Sequence, residues 1–206
     1  MKNRLYIFDM DGTLLINTTG LIELAKVLGT KKELFELEES FKNNELSTVE
    51  FTRLISILWG YIDPDLSHKA FSNAQKIYGI SECLAIIKRN GGTSCLITMS
   101  QDIFSSHFKK YGFDFIFSST YPPNTNGDIK ILTPNDKPII SRSLCKIKNL
   151  KFEESIAFGD SLSDEPLFSL LTETIAINAT ETLKNISKYS YDGKSLLEAY
   201  SQLNID

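Results

Sequence analysis

The sequence predicts an α/β fold: a doubly wound parallel sheet with a Rossmann-like core and a small inserted helical cap. Three observations carry this prediction. The first strand-forming run, Leu5-Tyr6-Ile7-Phe8, is apolar or aromatic throughout, as expected of a strand buried on both faces. After Ser81, short apolar runs alternate with helical stretches, the pattern of a parallel sheet built from strand–helix units. Between these two regions the apolar residues keep helical spacing only, which marks an insertion.

The first strand ends at Asp9-Met10-Asp11-Gly12-Thr13. Leu21, Leu24, Ala25 and Leu28 then follow a helical stripe up to Gly29. Leu34, Leu37 and Phe41 continue the stripe, and Phe51, Leu54, Ile55 and Leu58 repeat it before Gly60. Asn43-Asn44 and Asp63-Pro64-Asp65 supply the turn signals between them. A helix at about Glu82–Arg89 stops at Gly91-Gly92 and leads to a strand at Ser94–Thr98. The next pair is a helix over Ile103–Tyr111, stopped by Gly112, and a strand at Phe113–Phe117. Tyr121–Pro134, rich in Pro, Asn and Gly, reads as a loop or hairpin. A helix over Pro138–Ile147, strands at Ser155–Phe158 and Thr174–Ile177, and a last helix over Lys194–Gln202 complete the set. The expected division is a core of residues 1–16 and 78–206 around a cap of residues 17–77.

At 206 residues the chain fits one domain with a sizeable insertion, or two small units sharing a core. Its net charge of -4 provides no basic excess to displace counterions, so a general affinity for nucleic acid is not expected. Cys83, Cys95 and Cys145 are odd in number and lie in apolar stretches. They read as buried free thiols. His68 and His107 lack the spacing of a zinc site. There is no membrane-length apolar run and no signal core, so the expected location is the cytoplasm.

Ligands of open parallel sheets bind beyond the carboxyl ends of the strands, which is where Asp9 and Asp11 fall. An Asp-Gly turn leaving a strand is the plainer reading of this segment alone. A second acidic cluster, Asp160-Ser161-Leu162-Ser163-Asp164, follows another buried strand, Ile156-Ala157-Phe158-Gly159. Two carboxylate pairs at the ends of two buried strands repel one another unless a cation neutralises them. A hard cation with oxygen ligands does so, and magnesium also bridges to phosphate.

Asp9-Met10-Asp11-Gly12-Thr13 resembles the first motif of the haloacid dehalogenase superfamily, and Gly159-Asp160-Ser161-Leu162-Ser163-Asp164 resembles its fourth. Leu96-Ile97-Thr98, followed by Met99-Ser100, is similar to the second motif, with Thr98 in place and Ser100 its nearest rival. Lys137, ahead of Pro138, takes the place of the third, with Lys130 nearby. The helical insertion is similar to the cap of the phosphoserine phosphatase branch. That branch has a Glu for the substrate amine where this chain has Thr18, and a cap Arg near Ile55, with Arg53 close by.

The resemblance implies a magnesium-dependent phosphatase acting on a small phosphorylated metabolite. Asp9 is then the nucleophile, forming an aspartyl-phosphate, and Asp11 the general acid and base. Thr98 and Lys137 complete the catalytic set, and phosphate contacts fall to Met10, Asp11, Thr98, Met99 and Lys137. The implied Mg²⁺ ligands are Asp9, Asp11 through its backbone carbonyl, Asp160 and Asp164, the last of which also suits a helix N-cap. Thr18, Arg53 and Trp59 are the expected specificity residues, with Tyr61 nearby. A phosphotransferase or phosphomutase using the same intermediate, and a non-catalytic binding protein of the same fold, are the alternatives. Neither a membrane nor a nucleic-acid partner is expected, and the sequence leaves the oligomeric state open.

Overall fold

The structure, a computed structural model, describes residues 3–122 and 130–203. At its centre is a six-stranded parallel sheet. Its strands are β1 (Leu5–Phe8), β2 (Thr93–Gln101), β3 (Phe115–Ser119), β4 (Ile156–Gly159), β5 (Glu173–Ile177) and β6 (Tyr189–Tyr191). The spatial order is β3-β2-β1-β4-β5-β6. The chain therefore runs outward from β1 on one side and returns to start again at β4. That reversal beside β1 is the switch point where a ligand crevice opens.

Register decides what reaches this crevice. Phe8 pairs with Leu96 on one side and with Phe158 on the other, and the Phe8 and Phe158 rings stack with centroids 4.3 Å apart. Asp9, Thr98 and Asp160 each follow these partners by one or two residues, so all three leave the sheet at one end. Alternation along β1 sends Tyr6 and Phe8 into one apolar cluster and Leu5 and Ile7 into the other. The all-apolar strand is thus buried on both faces.

Four helices lie between β1 and β2: α1 (Gly20–Leu28), α2 (Lys31–Lys42), α3 (Thr48–Trp59) and α4 (Pro64–Asn73). Their ends follow local sequence. The Thr19 hydroxyl accepts from Ile22 N at the start of α1, and Gly29 closes it with φ 74°. Ser47 and Glu50 form a reciprocal capping box on α3. Asp63 caps α4, with Pro64 in its first turn. The two connections of this insertion run side by side, Ile16 N donating to Gln75 O and Ile77 N to Leu14 O, each at 2.9 Å. Leu24, Leu34, Ile55 and Trp59 share one apolar cluster with Phe8, Met10 and Phe158, so the insertion is seated on the sheet.

The remaining helices are α5 (Ile80–Arg89), α6 (Asp102–Ser105), α7 (Asp136–Lys148), α8 (Glu165–Phe168), α9 (Glu181–Ile186) and α10 (Leu196–Ser201). The structure differs from the sequence reading in several places. The helix expected over residues 103–111 is α6 followed by a 3₁₀ segment, Ser106–Tyr111. β2 continues to Gln101, so Met99 and Ser100 lie within the strand, and β3 begins at Phe115 rather than Phe113. α8, α9 and β6 were not anticipated. Each is six residues or fewer, too short for apolar periodicity to register. Within the expected loop at Tyr121–Pro134, residues 123–129 lie outside the described residues.

Candidate active site

Asp9 leaves β1 with its backbone N–H donating to Phe158 O at 2.9 Å, which ties it to β4. Met10 buries its side chain in the core, so only its backbone is left to face the crevice. The Met10 carbonyl accepts from both Leu14 N and Leu15 N at 2.9 Å. This tight turn brings Asp11 back over the strand ends. Gly12 makes it possible: its φ is +78°, and a Cβ there would run into the Asp160 carboxylate.

Lys137, in the first turn of α7, is 2% exposed. Its Nζ lies 2.6 Å from Asp9 Oδ1 and 2.6 Å from Asp164 Oδ1, with Ser163 Oγ at 3.3 Å. Burial alone would lower its pKa, but the charges and hydrogen bonds of Asp164 and Asp9 push it up. Lys137 is held as an ammonium between two carboxylates. Lys130 is exposed, its ammonium 5.1 Å from the centre of the Phe117 ring.

Asp11 has different neighbours. Its Oδ2 accepts from Ser100 Oγ at 2.6 Å, with Thr98 Oγ1 at 3.5 Å. Its Oδ1 accepts from Gly20 N at 2.6 Å, at the start of α1. Thr98 is itself an acceptor for Ser100 N at 3.1 Å, so the two hydroxyls form one shelf under Asp11. Burial raises the Asp11 pKa, and the hydrogen bonds from Ser100 and Gly20 oppose that rise without cancelling it. Met99 lies between the two hydroxyl residues, and its carbonyl accepts from Ser119 Oγ at 2.7 Å.

The fourth acidic residue is Asp160. Asp164 Oδ2 accepts from Asp160 N at 3.1 Å and from Ser161 N at 3.4 Å, which folds the β4 exit into a tight loop. Carboxylate oxygens of Asp9, Asp160 and Asp164 lie within 4.8 Å of one another. Burial, followed by the charges of Asp164 and Asp11, pushes the Asp160 carboxyl up to about 7. Burial likewise raises Asp9, against Lys137 and with the three other aspartates. Four carboxylates thus face one ammonium.

Among the described residues, buried Asp160 Oδ1 has no hydrogen-bond partner. An unsatisfied buried carboxylate oxygen beside two more carboxylates is the donor set of a hard divalent cation. The residues present therefore fit the magnesium that the sequence implies. Both Asp164 oxygens are already engaged, Oδ1 by the Lys137 ammonium and Oδ2 by the Asp160 and Ser161 amides. Gly159 shows how closely this loop is packed, because a Cβ there would strike the Asp164 carboxylate. We expect Gly159→Ala to cost about 1–3 kcal/mol, by overpacking. Urea unfolding of the variant beside wild type measures this, and an unchanged midpoint would contradict the packing.

A cleft of about 320 Å³ opens above these groups, lined by Asp11, Gly12, Asn17, Thr18, Thr19, Ile22, Asp160 and Ser161. Thr18 is in its wall, but its hydroxyl donates to buried Glu23 Oε1 at 2.5 Å, and Glu23 also pairs with Lys26 at 2.6 Å. Arg53 is exposed on α3. Trp59 is buried in the cap, its indole N–H donating to Thr30 Oγ1 at 2.8 Å. Tyr61 is 83% exposed. Arg53, Trp59 and Tyr61 are thus not in the cleft wall. Sequence reasoning missed Gly20, Ser163 and Glu23, whose partners Asp11, Lys137 and Thr18 carried the only available signal.

The family profile of haloacid dehalogenase-like hydrolases matches residues 6–169. A phosphoserine phosphatase of Methanocaldococcus jannaschii is 25% identical over 203 residues, covering 96% of each chain. One from Archaeoglobus fulgidus is 25% identical over 211 residues, covering 99% of this chain and 61% of the relative. Among solved structures, a phospho-aspartyl intermediate analogue of phosphoserine phosphatase superposes with a TM-score of 0.82 at 23% identity, over 99% of this chain and 100% of the other.

Proposed function

This chain belongs to the haloacid dehalogenase-like hydrolases, and from that premise we propose that it is a magnesium-dependent phosphomonoesterase for a small phosphorylated metabolite. Residues 17–77 serve as the cap over its cleft. The observation that carries the reading is the contrast between Asp9 and Asp11. One is paired with a buried ammonium, and the other is surrounded by hydroxyls and an amide. Two carboxylates two residues apart are thereby set to different tasks.

Asp9, oriented by Lys137, attacks phosphorus as its carboxylate, and the bond from phosphorus to the ester oxygen breaks. Asp11 gives its proton to the departing oxygen. Asp11, now a carboxylate, takes a proton from the water that attacks the aspartyl-phosphate, and this releases inorganic phosphate and restores Asp9. Ser100 and Thr98 hold Asp11 in place, and Lys137 offsets charge on the transferring group. Asp9 and Asp160 would hold the magnesium ion, which would supply further neutralisation of the phosphoryl oxygens. The cap excludes bulk water and large substrates. The curated relatives are named as phosphoserine phosphatases, which supports a small phosphomonoester. Phosphate release from a panel of such esters, with magnesium or EDTA, tests the reading, and no release from any of them would overturn it.

A pH dependence follows from Asp160. Its folded pKa of about 7 lies above that of a carboxyl in the unfolded chain. Bound protons then favour the metal-free fold at low pH, and this contribution is lost as pH rises through about 7. Magnesium needs the ionised form. In EDTA the melting temperature is expected to fall between about pH 5 and pH 8, and the rise on adding magnesium to grow over the same range. A magnesium shift independent of pH would contradict the assignment of Asp160.

A further inference from the structure

Among the described residues that line the cleft, none is basic, and the charged ones are Asp11 and Asp160. Both Asp11 oxygens already accept hydrogen bonds, Oδ1 from Gly20 N and Oδ2 from Ser100 Oγ. Asp160 belongs to the acidic group that fits magnesium. The ions behind the wall are committed as well. Lys137 is shared between Asp9 and Asp164. Lys26 neutralises Glu23, whose Oε1 also accepts from the Thr18 hydroxyl. Neither a cation nor a spare carboxylate is thus presented to a leaving group in this cleft.

What the cap side offers is neutral hydrogen bonding. It consists of Asn17, Thr18, Thr19 and Ile22. Asn17 is exposed, and among the described residues none hydrogen-bonds to its side-chain amide, so both donors and the acceptor are open. Its φ of 55° is one that Asn and Asp adopt more readily than most residues. Thr19 Oγ1 accepts from Ile22 N at the start of α1, which leaves its O–H to donate. Ile22 adds an apolar contact for a carbon chain. At about 320 Å³ the cleft is at the small end of ligand sites. The phosphoryl group fills part of it, so the alcohol must be short.

We infer that the cleft selects phosphomonoesters of short, uncharged, hydroxylated alcohols, with Asn17 and Thr19 binding the hydroxyls, and discriminates against leaving groups that carry a carboxylate or an ammonium. The inference rests on the phosphomonoesterase reading above and names its substrate class. A leaving-group carboxylate gives up hydration without gaining a cation, and it meets Asp11 as a like charge. An ammonium gives up hydration too and finds the nearby carboxylates already bonded. A hydroxyl loses less on leaving water, and the Asn17 amide and Thr19 hydroxyl replace what it loses.

The test is steady-state hydrolysis by the magnesium-loaded protein, as wild type, Asn17→Asp and Ile22→Lys. The substrates are glycerol and glycerate, each phosphorylated on its terminal carbon, with phosphoethanolamine and p-nitrophenyl phosphate. The glycerol and glycerate esters differ by a hydroxymethyl group against a carboxylate. Wild type should prefer the glycerol ester over the glycerate ester and over phosphoethanolamine by about tenfold or more in kcat/KM. Asn17→Asp keeps the shape and adds a carboxylate. It should raise phosphoethanolamine relative to the glycerol ester by about tenfold, mainly through KM. Ile22→Lys should do the same for the glycerate ester. Circular dichroism checks that each variant is folded, and if Ile22→Lys is not, Asn17→Asp decides alone. A purely structural role would lower all substrates alike, and unmoved ratios overturn the inference. If wild type prefers a charged ester, or treats the esters alike, while turning over p-nitrophenyl phosphate, only the substrate class falls. If it releases phosphate from none of the four, the phosphomonoesterase reading falls with it.

Discussion

Asp9→Asn is expected to lower phosphate release by at least about 10⁴-fold, because it removes the attacking oxygen anion and leaves the rest of the site standing. The amide is nearly isosteric, so the fold should survive. It also removes one of the four carboxylates that share Lys137, a charge that burial and the three other aspartates disfavour when no metal ion is bound. The metal-free variant should therefore melt no lower than metal-free wild type, while its gain from magnesium should shrink. Circular dichroism melts with and without EDTA, run beside the phosphate assay, separate loss of chemistry from loss of fold. Retained turnover, or a collapse of the metal-free fold, would count against this account of Asp9.

Lys137→Ala is expected to have the second largest effect, and to act on stability and rate together. The ammonium is the buried partner shared by Asp9 and Asp164. Removing it leaves two buried carboxylates facing each other beside Asp160. Breaking a buried pair from one side costs about 3–5 kcal/mol, because the remaining charge keeps its desolvation penalty. Losing the charge beside the transferring phosphoryl group should lower kcat by roughly 10²–10³-fold. Magnesium should return part of the lost stability and little of the lost rate, since it replaces charge but not the contact to Asp9 Oδ1. Lys130→Ala provides the contrast. That side chain is exposed, and its removal should change stability by no more than about 0.5 kcal/mol. Urea midpoints for the two variants decide between the two lysines. Equal effects would mean that Lys137 is not the buried clamp seen here.

Much of this architecture was legible in the sequence, for identifiable physical reasons. A four-residue run such as Leu5–Phe8 must be buried on both faces, and the acidic residues behind it had to emerge at a strand end. Caps and stops were local too: the stop expected at Gly29 and the turn signal at Asp63 both fall at helix ends. Distance between elements was not legible. Nothing local shows that Ser100 Oγ comes closer to Asp11 than Thr98 Oγ1 does, because this depends on how β2 is drawn past the end of β1. Trp59 looked like a pocket aromatic, yet its indole is committed to Thr30 from a different helix. α6 breaks into a 3₁₀ segment at Ser106, a change of pitch that an apolar stripe over so few residues does not report.

The central claim is that the phosphoryl group passes through Asp9. The most direct measurement is an acid quench of the magnesium-loaded protein during turnover of p-nitrophenyl phosphate, followed by mass spectrometry of its peptides. The account predicts a phosphoryl adduct on Asp9 that disappears on mild alkaline hydrolysis and never forms in Asp9→Asn. Steady turnover with an adduct on another side chain, or the same adduct yield from Asp9→Asn, would contradict it.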